Sequence, residues 1–146
     1  MTKLLLNISF ITTFLVSMTP YQNTGCHKKA EQVPKEAFHG LWIGAYKVDG
    51  EPRFGEQYFS FIIKPDGTMI NDTKWEGQQH ISVGSWTLNG NLLSCTATCI
   101  SGLPSNLGIK EKHEAKIDKS TGILSGTWKN APPLNGSGTF TLTKVN

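Results

Sequence analysis

Gly40-Leu41-Trp42-Ile43-Gly44-Ala45-Tyr46-Lys47-Val48 is the stretch on which the reading of this chain turns. Side chains alternate across an extended strand with period two, so Trp42, Gly44, Tyr46 and Val48 share one face. A glycine two residues before an indole returns in Gly84-Ser85-Trp86 and again in Gly126-Thr127-Trp128. Three strands with one cadence predict a closed, antiparallel β-structure with tryptophans packed at its ends.

Outward from that stretch, turn chemistry cuts the chain into short strands. Asp49-Gly50-Glu51-Pro52 is a turn cluster, and the run 57–63 follows with Phe59, Phe61 and Ile63 on one face. Pro65-Asp66-Gly67 is a hairpin signal, because Pro presets φ, Asp caps its own turn and Gly supplies positive φ. A short return strand over 68–71 then leads into a polar connection, 72–79, that leaves Trp75 partly exposed. Strand 80–88 is closed by Asn89-Gly90-Asn91, and 92–99 returns with Leu93, Cys95, Ala97 and Cys99 on one side. Beyond a loop at 101–108, residues 113–118 alternate with Ala115 and Ile117 inward and the charges outward. A turn at 119–122, strand 123–129, a Pro/Gly loop at 130–136 and strand 139–145 complete the chain. About eight strands joined next to next, with no helical period between them, predict an all-β fold. The expected architecture is an eight-stranded antiparallel up-and-down β-barrel, whose closure removes the unpaired edges that invite aggregation.

Upstream, Lys3 and the apolar run from Leu4 to Val16 form a targeting segment. That run is ~13 residues and broken by Asn and Thr, short of the ~20 needed to span a bilayer, so export is expected. Asn23-Thr24-Gly25-Cys26 resembles the end of a bacterial lipobox, and Cys26-His27-Lys28-Lys29-Ala30-Glu31 resembles the polar tether that follows a lipidated cysteine. The resemblance implies a signal peptide over 1–25, a lipid on Cys26 and attachment to a membrane at the cell envelope. Ordinary signal-peptidase cleavage is the alternative. Residues 26–37 then read as a flexible tether and 38–146 as the barrel domain.

A formal charge of +3 with scattered lysines makes no basic stripe, so nucleic acid is not an expected partner. No Gly-x-Ser-x-Gly or His-Glu-x-x-His accompanies the histidines, so the chain is not expected to be an enzyme, and no cofactor is expected. Cys95, Cys99, His80 and His113 all fall on inward faces, which makes a zinc site worth weighing. Cysteines four apart on one strand lie ~13 Å apart at ~3.3 Å per residue, too far for a shared zinc or a disulfide. Buried free thiols are the first expectation; a disulfide across an irregular strand end, or a metal, stays open. No metal ligand is assigned.

The Gly40-Leu41-Trp42 opening resembles the Gly-x-Trp of the calycins, which include lipocalins and avidins. In lipocalins a basic residue late in the last strand packs over that tryptophan, and Lys144 stands at the matching place. The resemblance runs from Phe38 to Val145. The polar pattern by which avidins hold biotin is absent from 42–46, so biotin binding is not implied. The barrel pattern, the inward aromatics and the lack of a catalytic group lead to an expectation of non-enzymatic binding of a small apolar ligand. Tyr46, His80 and His113 are the expected polar contacts, with Phe61 and Trp86 among the aromatic ones. A filled barrel that serves protein contacts through loops 101–108 and 130–136 is the alternative.

Overall fold

The structure is a computed structural model that describes residues 32–146. The expected signal peptide over 1–25, Cys26 and the first part of the tether lie outside the described residues.

The eight strands form where alternation and turns placed them. They are β1 (Gly40–Val48), β2 (Gln57–Ile63), β3 (Thr68–Trp75), β4 (Gln78–Asn89), β5 (Leu92–Ser101), β6 (Lys110–Ile117), β7 (Ile123–Asn130) and β8 (Ser137–Lys144). Each pairs antiparallel with the next, and β1 also pairs with β8, from Trp42 opposite Lys144 to Val48 opposite Gly138. The sheet is therefore a closed up-and-down barrel.

The glycine-before-indole cadence has two physical causes. An added Cβ at Gly84 would lie 1.9 Å from the Thr96 carbonyl oxygen, and one at Gly126 would lie 2.1 Å from that of Glu114. Only glycine lets neighbouring strands coil that tightly where the wall bends. Gly40 serves differently, since its φ of 116° lies where side chains are strained.

One end of the barrel is stoppered. A 3₁₀ turn, Lys35–Phe38, lays Phe38 across it, and the Trp42 indole N–H donates to the Phe38 carbonyl at 2.8 Å. Lys144 Nζ sits 5.7 Å from the Trp42 ring centre and donates to the Ala37 carbonyl at 3.1 Å. Val33 is buried in the same layer, and its N–H donates to Asn91 Oδ1 at 2.8 Å. The last residues of the expected tether are thus packed on the barrel, because Val33 and Phe38 give the segment two apolar anchors. Above the stopper, Ile63, Met69, Leu93, Leu124 and Leu142 fill the lumen. Phe59, Phe61, Phe140 and His113 form the next layer, with Phe59 and Phe140 ring centres 5.0 Å apart and Phe61 and His113 5.1 Å apart.

The boundaries that bear on the mouth differ from expectation. β3 runs on to Trp75 and β4 starts at Gln78, so the polar connection of 72–79 is almost wholly strand. The turn between them is Glu76-Gly77, with φ of 50° and 78° at the two positions, the mirror-image geometry that suits a hairpin. Asp72, expected beside a turn, lies within β3 and accepts from Gln79 Nε2 across the ladder at 3.0 Å. β6 begins at Lys110 rather than His113, and that shift decides the site.

Candidate functional site at the barrel mouth

The end opposite the stopper is open. Odd strands finish there and even strands start there, so it collects Tyr46 and Val48 from β1, Trp75 from β3, His80 from β4, Glu111 from β6 and Trp128 from β7. Loop residues Asn106, Ile109 and Leu134 complete the rim of a cavity of about 220 Å³. Its walls are mainly aromatic. Tyr46 meets Trp128 edge to face at 5.6 Å and Phe59 at 5.4 Å, while Trp75 packs on Phe54 at 4.3 Å. The Trp128 indole N–H donates to the Lys47 carbonyl at 3.1 Å, and the Tyr46 hydroxyl donates to the Lys74 carbonyl at 3.1 Å. Both polar edges are tied to backbone, which fixes the rings and leaves apolar surface toward the cavity.

Glu111 is the charged group that sequence reading missed. It shares the inward face of β6 with His113 and Ala115, and its side chain is 18% exposed. Glu111 Oε2 accepts from Asn71 Nδ2 at 3.0 Å and faces His113 Nε2 at 3.6 Å; Oε1 meets Ser82 Oγ at 3.5 Å. Burial pushes the Glu111 carboxyl above the usual carboxylate range, against the pull of the Asn71 and Ser82 bonds. His113 is wholly enclosed, and burial pushes it down to about 3, so the imidazole is neutral. At 3.6 Å the contact is too long for a strong hydrogen bond and, with a neutral ring, it is not an ion pair. Asn71 Oδ1 and His113 Nδ1 are buried with no hydrogen-bond partner among the described residues.

Of the expected contact residues, Tyr46 and His80 line the cavity, and His80 Nε2 lies 3.1 Å from Asn106 Nδ2 of the rim. His113 and Phe61 lie beneath it in the packed layer. Trp86 is at the stoppered end, where its indole N–H donates to the Lys64 carbonyl at 2.8 Å and Lys35 Nζ lies over its ring at 4.7 Å. It takes no part in the mouth.

Cys95 and Cys99 are buried free thiols on one strand, as their spacing requires. Burial pushes Cys95 up to about 12 and raises Cys99, whose thiol lines the cavity and donates to the Ser101 carbonyl at 3.4 Å. Burial likewise raises the Tyr46 phenol, helped by the Glu111 charge. Among the described residues no group of three or more His, Cys, Asp or Glu side chains could hold a metal ion. No helix among them is long and apolar enough to cross a membrane. Comparison with protein-family models, with curated proteins and with solved structures gives no match.

Proposed function

We propose that this chain is an exported, lipocalin-like barrel that binds a small apolar ligand and catalyses no reaction. The observation that carries the reading is the cavity of about 220 Å³ in the open mouth, aromatic-walled above a packed floor. Barrel mouths are a favoured place for such sites, and ligand pockets run ~300–1,000 Å³, so this ligand is small. The Lys144 amine over the Trp42 ring, at 5.7 Å, supports the calycin resemblance. The leader and the Gly25-Cys26 junction support export and a lipid anchor at the cell envelope. With the Cys99 thiol and the Tyr46 phenol both held protonated by burial, the cavity offers no activated nucleophile, which supports binding over catalysis.

Fluorescence titration of the full chain with small aromatic and short-chain apolar compounds tests this, since Trp75 and Trp128 line the mouth. Saturable quenching is expected, and it should be lost in Trp75→Phe/Trp128→Phe while Trp42 and Trp86 still report the fold. Flat titrations across the panel, with no ligand retained in native mass spectrometry, would remove the reading. The packed lower lumen favours the second reading, a barrel that acts as a scaffold for protein contacts. In that case substitutions at Leu107 and Leu134, which are exposed on the rim loops, would abolish partner capture from envelope extracts without any small-molecule signal.

A further inference from the structure

The mouth sets an enclosed carboxyl among aromatic walls, and no Lys or Arg is among the residues that line it. Glu111 brings two carboxyl oxygens to the cavity, and its partners among the described residues are Asn71, Ser82 and His113, none of them a cation. The one short hydrogen bond it receives is that from Asn71 Nδ2 at 3.0 Å. Asn71 Oδ1, on the other side of the same amide, is buried and meets no donor among the described residues. The Tyr46 hydroxyl is spent on the Lys74 carbonyl at 3.1 Å and the Trp128 N–H on the Lys47 carbonyl at 3.1 Å, so neither serves the carboxyl. A carboxylate this enclosed and this poorly matched is costly to ionise unless something positive and donor-bearing arrives.

The walls select in the same direction. Tyr46, Phe59, Trp75 and Trp128 line the cavity around Glu111. Aromatic faces attract cations through the ring quadrupole, and most strongly where water is excluded. An anion would meet the carboxyl. A neutral acceptor, such as a ketone or ester, would bring no charge to match the carboxyl.

We propose that the mouth takes an organic ammonium ion, its cationic head on Glu111 and its apolar body against the Trp75 and Trp128 rings. The proposal rests on the mouth being a ligand site, and it adds the chemical class. An ammonium supplies the charge and up to three N–H donors, enough for the carboxylate and a further acceptor. Three probes of one size separate the possibilities: phenethylamine, phenethyl alcohol and phenylacetate, titrated near neutral pH into the full chain by calorimetry and tryptophan fluorescence. The amine is expected to bind about 10–100-fold more tightly than the alcohol, the worth of one hydrogen bond to a buried charge, with phenylacetate weakest. In Glu111→Gln, the amine should lose its advantage over the alcohol. Equal binding of amine and alcohol by the original protein, or a preference for phenylacetate, would overturn the cation assignment and leave the mouth as a ligand site. Binding of none of the three would overturn both. The ratio measured on the original protein decides even if the variant fails to fold.

Discussion

Glu111 and His113 sit two residues apart on one strand face, and their burial pulls stability in opposite directions with pH. A histidine held down to about 3 from 6.5 stays neutral in the fold while the unfolded chain takes up a proton. Its contribution is complete above pH 6.5 and drains away as pH falls toward 3, at ~1.4 kcal/mol for each pH unit, several kcal/mol in all. His113→Met, close in volume and without a charge, should flatten that acid slope in urea unfolding followed between pH 7 and pH 4. His80, also lowered by burial, adds a smaller slope of the same sign that remains in the variant. Glu111 works the other way, because its folded carboxyl holds its proton to a higher pH than the unfolded value of 4.5. Glu111→Gln should therefore be more stable than the original at pH 8, and the gain should vanish below pH 4.5. The titratable groups that line the cavity with this carboxyl from other strands are Tyr46, His80 and Cys99, and none is cationic at pH 8. A variant less stable than the original at that pH would show that the carboxylate is well matched after all. The charge was legible in principle. Counting back by two from His113 along the same alternation lands on Glu111, but a strand started at His113 leaves it in the preceding loop.

Among elements, the turns were the clearest words in the sequence. Asp66 Oδ1 accepts from the Thr68 N–H at 2.8 Å, and Asp118 Oδ1 from the Ser120 N–H at 2.8 Å, as Asx turns in glycine-bearing hairpins should. Glu76-Gly77 was hidden because polar residues flank it, and near the rim strand faces need not be apolar on either side. Inside and outside could be read from alternation, whereas top and bottom needed topology. In an up-and-down barrel the start of an odd strand and the finish of an even one share an end. Trp42 early in β1 and Trp86 late in β4 are therefore companions at the stopper, and that rule would have kept Trp86 out of the site. The close-approach glycines give a sharp test. Gly84→Ala must push its Cβ away from an oxygen 1.9 Å off, so a loss of about 2–3 kcal/mol is expected from the urea midpoint. Gly90→Ala, at φ 60° with nothing within 4 Å, should cost only about 1 kcal/mol.

The described residues form a cup with a plugged base. Its closure followed from strand count and connectivity, so the barrel was readable before any coordinates. The extent of filling was not, because side chains or a ligand can occupy a lumen of this strand number equally well. If Cys26 carries the proposed lipid, Cys26→Ser should move the full chain from the membrane fraction to the soluble one, with its ligand affinity unchanged. Retention of the variant in the membrane fraction would rule out anchoring through that residue.

Val33 enters the described structure beside Asn91, and Val145 leaves it with its N–H on the Leu41 carbonyl at 2.8 Å, so both ends of the strand path lie at the plug. A linker fused or fixed directly at Val33 or after Val145 would therefore leave the barrel at its foot, on the pole opposite the rim. On the proposed reading, ligand exchange and attachment would fall on opposite poles, and neither would have to wait for the other.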